Sequence, residues 1–402
     1  MFESLMNILK MQDLRNRILL TLALLAVYRL GIFIPSPGVD RIALADFFED
    51  SQGTLLSLYN LFSGGALERF SVFVLGIMPY ISASIIMQIG QIMFPFIERL
   101  KAQGQAGTKK INQYTRYLTI GIAIVQSFSI SIGLEQMTTM SNQLVVIEPG
   151  WGFRMMTVIT MTAGSCFVMW LGEQITERGI GQGASLIITA GIIAGIPSGA
   201  RNLYQSMNLG QINLLEITML LAFMMVVIGL IVFIERGQYR VPIQYPKKVI
   251  GNQVYGGQST HLPLKVNVSG VLPPIFASSL MFFPATIGQL FPNDFFAGIA
   301  AAFVPGSYTY MVTYVVLIVV FTFFYTAISF NPQDVADNLR RQGGYIPGVR
   351  PGKQTQDELD RILLRLTAGG AMYLSGVCIL PEVLANFYNV PFYFGGTGLL
   401  II

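Results

Sequence analysis

Apolar residues in this chain come in long blocks, and polar residues gather between them. Nine blocks of roughly 17–22 mostly apolar residues recur, each about long enough at 1.5 Å rise per residue to cross a bilayer core of ~30 Å, and a shorter tenth follows them. They predict helices near 18–34, 72–93, 117–134, 153–172, 183–200, 214–234, 270–290, 309–330 and 366–385. A tenth starts near Pro391 and reaches Ile402 before it is long enough to cross. The expected fold class is an all-α polytopic membrane protein of ten transmembrane helices, five in residues 1–200 and five in 201–402. An odd number per half reverses the second half relative to the first, which permits two inverted, pseudo-symmetric halves with a site at the midplane.

Charge orients these blocks. Only 11% of residues are charged, too few to cover a soluble chain of this length, where about 25% is usual. Every Lys and Arg except Arg29, Arg41, Arg69, Arg154 and Arg201 falls on one side of the predicted spans. That bias places the N-terminus in the cytoplasm. It also excludes a basic soluble protein binding nucleic acid, because the bases sit between apolar runs. Three loops on that side are long, 94–116, 235–268 and 331–365. The last two exceed what topology needs, and Gly343-Gly344-Tyr345-Ile346-Pro347-Gly348 reads as a shaped turn, so a docking surface for a cytosolic partner is expected.

Candidate chemistry is sparse. Cys166 and Cys378 lie inside predicted spans without ligand spacing, and His261 is the sole histidine, so no His-based metal or triad site is expected. No run fits the phosphate-binding Gly-x-x-x-x-Gly-Lys-Ser/Thr loop. The ionisable residues Arg29 and Glu216 fall near span ends, whereas an ion-coupled carrier needs buried charges along its path. The chain is therefore expected to be neither an enzyme nor a cofactor binder. A passive conduit sealed by apolar side chains remains, with a secondary transporter of a small solute as the alternative; an apolar or polar midplane separates them.

Three segments depart from ordinary spans. The helix near 183–200 is rich in glycine and alanine, which suits close helix approach. The helix near 270–290 carries Pro273, Pro274 and Pro284 with Ser278 and Ser279, so it can be hinged where neighbours satisfy its backbone. Residues 58–70 are amphipathic, too short to span and interrupted by two glycines; they either lie flat or re-enter the bundle.

Several motifs occur together in order: Phe62-Ser63-Gly64-Gly65-Ala66-Leu67, Gly76-Ile77-Met78-Pro79-Tyr80-Ile81-Ser82-Ala83-Ser84, Trp170-Leu171-Gly172-Glu173-Gln174-Ile175-Thr176-Glu177-Arg178-Gly179-Ile180-Gly181, Gln258-Ser259-Thr260-His261-Leu262-Pro263-Leu264-Lys265, Ile275-Phe276-Ala277-Ser278-Ser279 and Phe392-Tyr393-Phe394-Gly395-Gly396-Thr397. Across essentially its whole length the chain resembles the SecY/Sec61 alpha family, channel subunits of the Sec protein translocase. The resemblance implies a protein-conducting channel that translocates secretory proteins and inserts membrane proteins laterally. It implies a pore ring at Ile77, Ile81, Ala184, Ile188, Ile275 and Ile401, with Ala184 smaller than the branched residue usual there. Isoleucine suits such a gasket: it is stiff at χ1 and offers water no hydrogen bond.

It further implies a short re-entrant plug helix around 58–70, with Asn60, Leu61, Phe62, Ser63, Gly64, Gly65, Ala66 and Leu67 at its centre. A lateral gate would involve Gln88, Gln126, Pro273, Ser278 and Ser279. Lys247, Lys248, Arg340, Arg341 and Arg350 would dock the SecA motor ATPase and the ribosome, through ribosomal RNA and proteins. The implied setting is the bacterial cytoplasmic (inner) membrane. The implied partners there are SecE and SecG subunits, signal peptides, nascent or preprotein chains and membrane lipids.

Overall fold

A computed structural model describes residues 11–40, 43–44, 64–136, 144–208, 214–245, 248–250, 253–255, 259–290, 298, 302–303, 307–388 and 400. The helices are α1 (Gln12–Gly31), α2 (Met78–Met93), α3 (Pro95–Ala102), α4 (Gln105–Gln136), α5 (Trp151–Arg178), α6 (Gly183–Asn208), α7 (Leu214–Glu235), α8 (Leu272–Leu290), α9 (Tyr308–Ser329), α10 (Pro332–Arg341) and α11 (Lys353–Tyr388). Four strands lie between α7 and α8: β1 (Gln238–Gln244), β2 (Lys248–Ile250), β3 (Gln253–Tyr255) and β4 (Ser259–Lys265). The chain divides into two compact units. One comprises Met1–Tyr204, Ser278–Met311 and Asn389–Ile402; the other comprises Gln205–Ala277 and Val312–Tyr388. The chain passes between them four times, within α6, within α8, within α9 and at the end of α11.

Among the described residues, four helical stretches are long and apolar enough to cross a bilayer: Gln105–Glu135, Trp151–Arg178, Tyr308–Arg341 and Lys353–Leu380. A fifth is reached if α2 and α3, bent by 93°, count as one broken span. Gly183–Pro197, Leu221–Glu235 and Leu272–Met281 are shorter apolar helices. The described chain is thus a mostly helical protein with several membrane-length helices.

Three expectations from the sequence need correction. The chain is not purely α, because the loop at 235–268 forms two antiparallel hairpins, β1 with β4 and β2 with β3. The charged segments at 94–116 and 331–365 are largely helical, since α3, α10 and the first turns of α4 and α11 occupy them. There Leu100 and Ile111 bury against Met87, with Ile97 and Leu118 beside them. Such amphipathic turns were missed because high charge masks the apolar stripe. Finally, the second helix begins at Met78, not near 72. Phe70 (φ +45°) and Gly76 (φ +52°) adopt left-handed backbone that no α-helix accommodates. Residues 71–78 instead turn through short bonds such as Val74 N–H to Ser71 O (3.1 Å) and Gly76 N–H to Phe73 O (2.8 Å). Pro79 then starts α2, where its missing donor costs nothing.

In the second unit the two long loops fold as one body. Gln244 N–H donates to Tyr345 O (2.9 Å) and Tyr345 N–H to Gln244 O (3.0 Å), adding Tyr345 to the outer edge of β1. Val241, Leu264, Ile346 and Leu359 form its buried core, flanked by Leu262, Phe330, Val335, Val349, Ile362 and Leu366. Because Gln244 faces Tyr345, alternation turns the Pro242 nitrogen outward on β1 and, through the pairing of Thr260 with Ile243, the Pro263 nitrogen outward on β4. Each proline deletes an edge donor, which blunts strand addition by another chain.

Candidate functional site

Residues 64–77 pack among α1, α5 and α6 in the first unit. Gly64 and Gly65 both have positive φ (+69° and +85°), and Gly64 lies against α6: a Cβ placed on it would stand 3.0 Å from Gly191 Cα. Among residues 64–70 the backbone forms turns and no helix; Asn60, Leu61, Phe62 and Ser63 lie outside the described residues. Ser71 N–H closes back on Ala66 O (2.9 Å), and Ala66, Leu67 and Phe70 are buried. Phe70 stacks on Phe153 of α5 with centroids 6.4 Å apart, which holds its left-handed backbone in place.

The segment is anchored on both flanks. Ser36 N–H donates to Phe70 O (2.7 Å) and Val72 N–H to Ile34 O (3.0 Å), so the chain after α1 runs antiparallel to it. That same strand contacts the far side through Asp40 N–H to Val145 O (3.0 Å). Phe73 stacks between Tyr28 (6.1 Å) and Phe167 (5.8 Å), over Gly31, whose hydrogen leaves room for the ring. On α5, Gly164 admits the Val72 carbonyl and Ser165 Oγ faces Gly76 O at 3.5 Å.

The motif Trp170–Gly181 explains itself here. Thr176 Oγ donates to Gly172 O (2.9 Å) and accepts Gly183 N–H (2.8 Å), closing the turn from α5 into α6. A Cβ on Gly183 would collide with the Gly172 carbonyl. A Cβ on Gly172 would sit 3.2 Å from Ile77 Cδ1, 3.5 Å from Ile187 Cδ1 and 3.8 Å from Ala184 N. Small residues thus bring Ile77, Ile187 and Ala184 together. Glu173 accepts Arg116 Nε at 2.7 Å, tying α4 to α5. At the other ends of these helices Glu135 takes two bonds from Arg154 (3.0 and 2.6 Å) and one from Gly150 N–H (2.9 Å).

The sequence-derived positions distribute as follows. Ile77 and Ile81 are buried one turn apart where α2 begins, and Ile188 is buried on α6 one turn beyond the half-buried Ala184. Ile275 is buried on the part of α8 in the second unit; Ile401 lies outside the described residues. Pro273, Ser278 and Ser279 are buried on α8, and Ser279 Oγ faces Met78 Sδ of α2 at 3.9 Å. Gln88 Nε2 donates to Ser84 Oγ on its own helix (3.3 Å), and the amide oxygens of Gln88 and Gln126 are buried with no hydrogen-bond partner among the described residues.

Arg340 and Arg341 are exposed in the last turn of α10. Arg350 is exposed beside Gly348 and Gly352, both left-handed, while its carbonyl accepts Thr355 Oγ (2.9 Å). Lys248 falls in β2, and Lys247 lies outside the described residues.

Sequence reasoning missed Arg29 and Gly191 as parts of this site. Arg29 Nη1 donates to Gly64 O at 2.7 Å. The available signal was a cation placed at the end of an apolar run, where a charge is costly without a task.

A family model described as SecY matches residues 71–402. The protein translocase subunit SecY of Escherichia coli (strain K12) is 46% identical over 394 residues, covering 97% of this chain and 88% of that protein. Among solved structures, one described as "The structure of a protein conducting channel" aligns with TM-score 0.67 at 17% identity, over 96% of this chain and 88% of the other. A second, described as "The plug domain of the SecY protein stablizes the closed state of the translocation channel and maintains a membrane seal", aligns with TM-score 0.64 at 18% identity over the same shares.

Proposed function

The chain belongs to the SecY family, and from that premise we propose how its geometry serves a protein-conducting channel. It is the channel subunit of a protein translocase and not itself an enzyme. The carrier alternative finds no support: Ile77, Ile81 and Ile188 are buried and apolar, whereas a solute site needs convergent polar groups. The observation that carries the reading is the glycine-mediated approach of α5 and α6, which gathers Ile77, Ile187 and Ala184 around Gly172 at the end of the anchored segment.

In this reading Ile77, Ile81, Ala184, Ile188, Ile275 and Ile401 form the pore ring, with Ile187 and Ile77 filling the space left by the small Ala184. Residues 60–67 are the plug. Ten spans are arranged as halves 1–200 and 201–402, in the bacterial inner membrane with the N-terminus in the cytoplasm. SecE and SecG accompany the chain. The basic residues Arg340, Arg341, Arg350, Lys247 and Lys248 meet the SecA motor and the ribosome, whose RNA phosphates attract them in a salt-dependent way. Signal peptides and nascent chains leave sideways into lipid past Gln88, Gln126, Pro273, Ser278 and Ser279. The experiment is crosslinking of a stalled secretory chain to Ile81→Cys and Ile275→Cys. Both are expected to form adducts, and a lipid-side Gly229→Cys none; adducts at Gly229 alone would overturn the pore assignment.

The unpaired amide oxygens give the gate a direction. A buried acceptor without a partner costs about 1–3 kcal/mol. Gln88→Leu or Gln126→Leu removes that cost and stabilises the closed arrangement. Secretion of a precursor with a weakened signal is expected to fall several-fold, and that of a strong-signal precursor to hold. Equal or improved secretion of the weak precursor contradicts the gate role.

A further inference from the structure

The proposed plug is held by one charged donor that no motif marks. Arg29 reaches from the last turn of α1 to Gly64, and its guanidinium donates to the Gly64 carbonyl at 2.7 Å. The same guanidinium lies 5.6 Å from the centre of the Phe33 ring, and Arg69 lies 4.4 Å from it. Phe33 thereby steadies two cations that flank the segment, one before it on α1 and one at its end. Gly64 is also where the backbone is tightest: it is left-handed, and its α-carbon hydrogen faces Gly191 of α6. A Cβ on neighbouring Gly65 would meet nothing within 4 Å among the described residues. Of the two glycines, only Gly64 is therefore both gripped and crowded.

Resting on the channel reading above, we propose that Arg29 is the catch of the outer seal: its bond to the Gly64 carbonyl holds Gly64 against Gly191 and sets how readily the plug leaves. The acceptor is a backbone carbonyl, and that choice has a consequence. A translocating chain of any sequence carries unpaired carbonyls when extended. It therefore offers Arg29 replacement acceptors as it arrives, and release requires no recognition of side chains. An acidic side chain in place of that carbonyl would bind the guanidinium more strongly and release it less readily. The choice of acceptor suits a channel that must open for many substrates and close without them.

The test uses the full chain with its partner subunits reconstituted in vesicles, read by resting ion leak and by secretion of a precursor with a defective signal. Arg29→Gln loses the charged bond, and the open fraction is expected to rise on the order of tenfold in both readouts, the factor a bond of this strength represents. Arg29→Lys keeps a charged donor and is expected to restore most of the seal, which a mere packing role would not predict. Gly64→Ala pushes the segment off Gly191 and is expected to leak similarly. The double variant should leak no more than the worse single one, because both changes break the same contact. A tight Arg29→Gln channel that assembles normally, or additive leaks in the double variant, overturns the catch. Deletion of residues 60–67 separates the two levels: if it leaks while Arg29→Gln does not, only the catch falls, and if it too stays sealed, the plug reading falls with it.

Discussion

Gly183→Val is expected to abolish accumulation of the folded protein and with it secretion. A Cβ at position 183 would occupy the space of the Gly172 carbonyl, with Gly172 C at 2.7 Å and Cα at 3.0 Å. Backbone cannot rotate aside as a side chain can, so α6 itself has to shift. That shift breaks the Gly183 N–H bond to Thr176 Oγ (2.8 Å) and carries Ala184 and Ile187 away from Ile77. Overpacking an ordinary core site costs about 1–3 kcal/mol. Here a lost hydrogen bond and a separated helix pair add to it, and lipid supplies no hydrophobic force to press the helices back together. Gly229→Val is the control, since nothing lies within 4 Å of a Cβ there. Comparing membrane levels of the two variants decides the matter; normal levels of Gly183→Val would show that α5 and α6 do not approach this closely.

The second large effect lies in the body that the two long loops form. Leu359→Asp places a carboxylate at a position with no exposed surface, among Val241, Leu264 and Ile346. An unpaired buried charge costs several kcal/mol, more than a body of this size can absorb. The hairpin, the 342–352 turn and the start of α11 are expected to separate while the spans remain inserted. Binding of the motor and of ribosomes to reconstituted vesicles should then fall by at least tenfold, with new protease cleavage between residues 238 and 265. Arg350→Glu leaves that core intact and reverses one exposed charge. Its defect in motor-driven translocation is expected to be smaller, to appear without new cleavage and to shrink as salt is raised. Full binding by Leu359→Asp would show that docking does not need the folded body.

Much of this architecture is legible in the residues. Long apolar blocks mark α4, α5, α9 and α11, because an apolar run of that length has few stable settings outside a bilayer. The small residues of 183–200 announce close approach, and Gly183 with Gly172 is where it occurs. Turn chemistry in 343–348 predicted a shaped segment, and Ile346 is buried within it. Other features had no local signal. Nothing near Tyr345 says that it will pair with Gln244, about a hundred residues earlier. The left-handed backbone of Phe70 is paid for by stacking on Phe153, a distant residue whose sequence neighbourhood looks like any span.

By itself, then, the order of residues determined which segments are long and apolar, how the cations gather between them, and where glycine permits backbones to meet. Those properties depend on each segment's own solvation and sterics, so a linear pattern carries them. Only the tertiary structure decided which helix each glycine faces, how two distant loops share one core, and that Arg29 grips Gly64. Those depend on partners far apart in sequence, and their free energy exists only once both are in place.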